Sequence, residues 1–137
     1  MKHDTDEDLR REQKAIKTFV SVFGGSFKKL DPLDVDYKVF DKDQKLIAYV
    51  EVTVRNKSVK QAFPLLVEAT KIAKLVEKRL NPVLVWSCED GIIYGKAFNL
   101  MGELKKGGFP PPSDLSGNCE LMVYYENQKA LKYIRYI

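Results

Sequence analysis

The chain has 137 residues, 45% hydrophobic and 31% charged, which fits one soluble globular domain spanning residues 1–137. A formal net charge of +4 suits a polyanionic partner without demanding one, because charge excess governs association rather than fold. The single histidine, His3, and two cysteines without metal-ligand spacing, Cys88 and Cys119, exclude a zinc site and any His-based triad, leaving carboxylates, Lys, Arg, hydroxyls and hard cations for chemistry. Both cysteines read as reduced. With no secretory leader and no apolar run long enough to span a bilayer, a cytoplasmic location and no membrane partner are expected.

Residues 6–23 read as an amphipathic helix. Leu9, Gln13, Ile16, Val20 and Phe23 recur at helical spacing with Phe19 beside them, acidic residues crowd the start, and Gly24-Gly25-Ser26 ends it. Glu12 borders the apolar stripe. Two strands follow. In residues 34–39, Val35, Tyr37 and Val39 share one face and Asp34, Asp36 and Lys38 the other. In residues 46–55, Leu46, Ala48, Val50, Val52 and Val54 share one face and Ile47, Tyr49, Glu51, Thr53 and Arg55 the other. Asp41-Lys42-Asp43-Gln44-Lys45 supplies the turn that pairs them as a hairpin.

After Asn56-Lys57-Ser58 a second long helix is expected to run to about residue 80, starting near Pro64 or kinked there. Leu65, Ala69, Ile72, Val76 and Leu80 would form its buried stripe, with Lys71, Lys74 and Lys78 on a separate basic side. Asn81-Pro82 stops it. Val83-Leu84-Val85-Trp86-Ser87-Cys88 is a buried-type strand reached by a crossover, and so parallel to the second strand. Asp90-Gly91 turns the chain into Ile92-Ile93-Tyr94-Gly95-Lys96-Ala97. A Gly/Pro-rich loop spans residues 102–118, residues 120–125 make a last strand, and residues 128–137 fit helix or strand equally. The order α-β-β-α-β-β-loop-β gives an α/β or α+β sandwich, with a mixed sheet flanked by helices.

Strand parity brings two carboxylates together across the hairpin, Asp36 and Glu51. An unpaired couple of like charges there is unfavourable. Either a cation or a shared proton joins them, or both are solvated edge carboxylates paired with Lys or Arg. Mg²⁺ or Mn²⁺ suits the first case: Mg²⁺ takes oxygen ligands at about 2.0–2.1 Å, the backbone carbonyl of Val52 offers one more, and the ion keeps waters that can be activated. Asp34 is the second choice on the same face. Glu12 is either an edge glutamate paired with a basic residue or a third member of the site.

Glu12 in the first helix, Asp36 opening the hairpin, and the triplet Glu51-Val52-Thr53 follow one another in a particular order and on particular elements. With the phrase Leu46-Ile47-Ala48-Tyr49-Val50-Glu51-Val52-Thr53-Val54-Arg55-Asn56 and the hairpin Trp86-Ser87-Cys88-Glu89-Asp90-Gly91-Ile92, the chain resembles the PD-(D/E)xK nuclease superfamily over residues 12–94. The strand phrase is similar to the signature of small phage and resolvase-like members, the hairpin resembles that of phage members, and Gly25-Ser26 is loosely similar to the corresponding step in archaeal Holliday-junction resolvases. The resemblance implies a restriction-endonuclease-like α-β-β-α-β core and Mg²⁺- or Mn²⁺-dependent hydrolysis of phosphodiesters in duplex or branched DNA. It implies Glu12, Asp36 and Glu51 as the carboxylates at the metal.

The sequence departs from that pattern in two places. Pro32 stands two residues before Asp34 rather than directly before an aspartate. Thr53 occupies the place of the family lysine, which polarises the scissile phosphate or orients the attacking water. Threonine offers a hydroxyl and no positive charge, and losing one preorganised electrostatic group costs about 10²–10³ in rate. Arg55, about 6.7 Å further along the same strand face, could bend back toward a phosphate. Lys71 on the next helix is either a relocated substitute or a solvated helix lysine.

Metal-dependent endonuclease, catalytically impaired nuclease-fold protein serving as a nucleic-acid-binding or assembly subunit, and small protein-interaction domain are the competing functions. Lys28, Lys29, Lys57, Lys60, Lys71, Lys105 and Lys106 are the cations available to track phosphates. Resolvase-like members are commonly dimers, and a two-fold homodimer would suit a symmetric junction.

Overall fold

The computed structural model describes residues 6–106 and 121–136. Helix α1 (Asp6–Phe23) has the expected span. Its buried side chains are Glu12, Ala15, Ile16, Phe19 and Val20, while Gln13 is exposed and Leu9 half-buried, so the inward stripe is rotated relative to the expected one. Gly24 adopts the left-handed conformation at φ 71°, and its N–H closes on Val20 O at 3.0 Å. The chain then reverses. A Cβ on Gly25 would lie 2.0 Å from Phe40 O, so a glycine lets strand β1 (Ser26–Lys29) start against the end of β2 (Tyr37–Phe40). Strand β1 was not expected, because Ser-Phe-Lys-Lys at a sheet edge buries little.

Strands β1, β2 and β3 (Leu46–Val54) form an antiparallel meander, with Tyr37 opposite Val50. The second helix begins later than expected. A 3₁₀ turn (Val59–Gln61) and strand β4 (Leu65–Glu68) precede α2 (Ala69–Glu77). Leu65-Leu66-Val67-Glu68 is extended because it pairs with β8 (Leu121–Tyr125), a partner more than fifty residues away that local propensity cannot reveal. Leu65 therefore belongs to a strand, and Leu75 is the fully buried residue of α2.

Strand β5 (Pro82–Ser87) lies parallel to β3, and β6 (Gly91–Lys96) returns antiparallel, both as expected. Residues 103–106, assigned to the Gly/Pro-rich loop, instead form strand β7 (Glu103–Lys106) against β8; residues 107–118 of that loop, and residue 120 of the expected last strand, lie outside the described residues. The ambiguous C-terminal stretch resolves as β9 (Lys132–Arg135), pairing with β6. The result is an α+β fold: a mixed six-stranded sheet in the order β1-β2-β3-β5-β6-β9 and a three-stranded antiparallel sheet in the order β4-β8-β7.

Two cores follow from the period-2 alternation of β3 and β5. Val50, Val52, Val83 and Val85 pack with Tyr37 and Val39 under α1. Leu84, Trp86 and Tyr49 face Leu65, Val67, Leu75 and Tyr125 on the other side, and the Trp86 indole N–H donates to Leu66 O at 3.0 Å. One sheet face is thus covered by a helix, the other by a helix and the small sheet.

The pairing of β9 depends on close backbone approach at Gly91, where an added Cβ would meet Ile134 O at 2.5 Å and Arg135 Cα at 2.9 Å. Gly91→Ala is expected to destabilise the fold by about 1–3 kcal/mol through this overpacking, measured by urea unfolding. Loss of amide-exchange protection should be concentrated in β9.

Candidate functional site

β2 and β3 pair as far as Tyr37 opposite Val50, then part. Even-numbered residues of β3 turn N–H and C=O toward β2, and odd-numbered ones toward β5: Arg55 N–H bonds Ser87 O at 2.8 Å. Val52 therefore faces the gap beyond the last β2 rung. Its N–H donates to Asp36 Oδ2 at 2.8 Å, and its carbonyl lies on the same flank. Upstream the chain bends, with Asp34 N–H on Asp31 O at 2.9 Å and Leu30 N–H on Asp36 O at 2.9 Å. The strand expected over residues 34–39 accordingly begins only at Tyr37. The bend also breaks the expected parity, since Val35 packs on the α2 side and Tyr37 and Val39 on the α1 side.

Glu51 is 3% exposed. Its neighbours Val50 and Val52 point to α1, so its carboxyl points to α2, where Lys71 Nζ lies 3.7 Å from Oε2. Lys71 is the third residue of α2. The positive end of the helix dipole disfavours a cation in the first turn, and the nearby carboxylate offsets this. At 3.7 Å the contact is looser than a charge-assisted hydrogen bond of about 2.7–2.9 Å. Burial pushes the Glu51 carboxyl up to about 8, the Asp36 charge and a side-chain hydrogen bond to Asp36 push the same way, and the Lys71 charge opposes them. Glu51 thus holds its proton against the Asp36 charge, as expected when two carboxylates meet without a cation between them.

Two further lysines, Lys74 in α2 and Lys78 just past its end, fasten the bend. Lys74 Nζ donates to Leu33 O at 3.2 Å, and Lys78 Nζ lies 2.8 Å from Asp34 Oδ1. That hydrogen bond from Lys78, with one from Val35 N–H, holds the Asp34 carboxyl below its ordinary range. Asp34 is therefore engaged as a structural ion pair. The basic side of the helix is not merely solvated.

Glu12 is 7% exposed and accepts hydrogen bonds from Tyr37 Oη at 2.8 Å and Lys29 Nζ at 2.7 Å. Lys29 also lies over the Tyr37 ring, 4.8 Å from its centre. Burial and the bond to Glu12 push the Tyr37 phenol well above its usual range. Because Tyr37 belongs to the α1-side core, Glu12 approaches from the face opposite Glu51. Among the described residues no group of three or more His, Cys, Asp or Glu side chains is set to hold one metal ion. The structure brings Asp36 and Glu51 together and leaves Glu12 behind the sheet. Lys29 and Tyr37 are the partners that sequence reasoning missed; the one usable signal was an aromatic hydroxyl directly after Asp36.

Thr53 and Lys71 line one groove of about 120 Å³ with Arg55, Glu68 and Met122. Arg55 does not bend back toward Glu51. Its Nε donates to Ala62 O at 2.9 Å and its Nη2 to Pro64 O at 3.3 Å, pinning the turn that leads into β4. Lys71 is thus the cation brought to the pair. The donor set available to a divalent ion, two carboxylates and the Val52 carbonyl, is all oxygen, as Mg²⁺ and Mn²⁺ require. The lysines considered for phosphate tracking are spread over β1, the loop after β3, the 3₁₀ turn, α2 and β7. No helix among the described residues is long and apolar enough to cross a membrane.

Glu51 binds its proton more tightly when folded than when unfolded. The folded state therefore carries the extra proton between the ordinary value of 4.5 and about 8, and stability falls as pH rises through that window. In metal-free buffer, denaturant unfolding of the wild type is expected to show this decline, and Glu51→Gln is expected to flatten it. A wild type as flat as the variant would contradict the raised Glu51 carboxyl.

No protein-family model, curated protein or solved structure matches this chain, so the site's own geometry carries the functional reading.

Proposed function

We propose that this chain is a metal-dependent DNA endonuclease of the PD-(D/E)xK type, with Asp36 and Glu51 holding Mg²⁺ or Mn²⁺ and Lys71 replacing the lysine absent at Thr53. The observation that carries the reading is the Asp36–Glu51 pair at the strand fork with Lys71 Nζ 3.7 Å away. A buried carboxyl held protonated beside a second carboxylate has a standing affinity for a cation. Bound between them with the Val52 carbonyl, the ion would supply positive charge to a phosphate oxygen and to the nucleophile.

The chain's own residues have distinct tasks in this reading. Glu51 gives up its proton as the ion binds, so metal affinity rises with pH up to about 8. Lys71 stands on the groove side of Glu51, where its ammonium meets a phosphate seated beside Thr53. Thr53 contributes a neutral hydroxyl. Asp36 keeps its bond to Val52 N–H, which fixes the carboxylate's position at the fork. Arg55 maintains the turn at 62–64 and takes no part in chemistry. Duplex or branched DNA is the substrate class this reading takes from the motif order, and a homodimer would present two such forks to a symmetric junction.

A second reading has specific support. Thr53 carries no charge, and Glu12 is already bound by Lys29 and Tyr37. Both fit a nuclease-fold protein that binds nucleic acid or an assembly partner without cutting.

Cleavage of labelled duplex and four-way-junction DNA with Mn²⁺ separates the two. The nuclease reading expects cutting that Glu51→Ala abolishes and Lys71→Ala slows by about 10²–10³, with Arg55→Ala losing stability instead. Cutting that survives Glu51→Ala sinks the site; salt-sensitive DNA binding without cutting favours the second reading. Independently, Mn²⁺ is expected to raise the melting temperature of the wild type more at pH 8 than at pH 6, and not to raise that of Glu51→Gln.

A further inference from the structure

On the α1 side of the sheet, where β5 ends, a cavity of about 400 Å³ opens between α1, Ser87 and Tyr136. Its floor is the Ser87 hydroxyl, 1% exposed, which donates to Arg11 O at 2.9 Å and lies 3.0 Å from Tyr136 Oη. Its walls carry three cations, Arg10, Arg11 and Lys14. Lys14 Nζ sits 4.3 Å from the centre of the Tyr136 ring. Arg10 Nη2 and Arg11 Nε converge on the two carboxylate oxygens of Glu7, at 3.1 and 3.3 Å. Arg11 Nη1 is also bonded to Asn56 Oδ1, at the exit of β3. Two guanidiniums on the two oxygens of one carboxylate is geometry that serves any tetrahedral or planar oxyanion. Glu7, 58% exposed on an open helix turn, can leave for solvent. With Glu89 also on the rim, three cations face two carboxylates; once Glu7 swings out, they face one.

The cavity and the fork open at the same end of the sheet. Ser87 is the register partner of Val54, three residues past Glu51, or about 10 Å along the strand. The Glu51 carboxyl faces α2 and the cavity faces α1, so a nucleic-acid strand that reached both would wrap over the ends of β3 and β5.

We infer that this cavity is a second phosphate subsite for a nucleic-acid backbone, in which a phosphodiester displaces Glu7 from Arg10 and Arg11 and is held by them with Lys14. The inference takes the identity of its ligand from the proposed nuclease function. It concerns binding rather than cleavage, so the two can fail separately. Arg10 and Lys14 are exposed and touch nothing at the fork, and their removal leaves the core of α1 intact.

The test is fluorescence anisotropy of a labelled DNA duplex with the full chain in EDTA, over a salt series. Arg10→Ala/Lys14→Ala is expected to weaken binding by about tenfold and to reduce the slope of log affinity against log salt by about two, one for each phosphate-facing cation. Glu7→Gln, which removes the competing carboxylate, is expected to tighten binding, a gain that misfolding cannot mimic. If the wild type binds but the double variant keeps its affinity and slope, the subsite is overturned and the fork reading stands. If the wild type shows no salt-sensitive binding, the subsite is overturned, and Mn²⁺-dependent cutting decides the nuclease reading separately. If binding follows these expectations but Mn²⁺-dependent cutting is absent, the subsite stands and the nuclease reading falls.

Discussion

The hydrogen bond from Val52 N–H to Asp36 Oδ2 fixes most of what is distinctive in this fold. Had the hairpin ladder continued, a main-chain carbonyl would have taken that donor. A carboxylate takes it instead, which satisfies a strand N–H that would otherwise be buried unpaired and ends the pairing of β2 with β3. The strands part, the Val52 carbonyl is turned into the gap, and a charged side chain is anchored beside Glu51. Elements on both faces then serve this geometry. On one face Lys74 and Lys78 tie the bend at 33–34 to α2. On the other, Glu12 and Lys29 grip Tyr37, the residue directly after Asp36.

Electrostatics decides what such a fork can do. Glu51 is desolvated by the core above α2 and faces a second carboxylate, so without a cation it retains a proton near neutral pH. Lys71 supplies partial compensation from a helix position that disfavours a lysine. The ammonium sits close enough to lower the penalty on Glu51, yet too far for a tight hydrogen-bonded pair. Glu12, by contrast, has its negative charge balanced by Lys29 and a phenol hydroxyl. The two buried acids therefore differ in kind: one is settled in its local network, and the other is short of positive charge.

Much of this was legible in the sequence, and the reasons are physical. The alternation over residues 46–54 put Glu51 and Thr53 on one face and the valines on the other, because a half-polar strand with one α-helix above it must alternate. Parity also paired Asp36 with Glu51. It failed just before Asp36, where the bend at 31–36 moves Val35 to the opposite core. The strands β1, β4 and β7 were invisible for a shared reason: each lies at a sheet edge, and β4 and β7 depend on a distant partner, β8. Missing β4 made the second helix look longer than it is and hid the fact that Lys71 lies in its first turn, where it reaches Glu51. Arg55 and Thr53 share a strand face, but nothing in the sequence reveals that the guanidinium is taken by the carbonyls of Ala62 and Pro64.

The central claim is that the fork is a divalent-cation site. Anomalous X-ray diffraction from crystals grown with Mn²⁺ at pH 8 tests it directly. The expected result is one anomalous peak at bonding distance from carboxylate oxygens of both Asp36 and Glu51, with Lys71 Nζ outside the coordination sphere. No peak at the fork, with Asp36 and Glu51 still in direct contact, would contradict it.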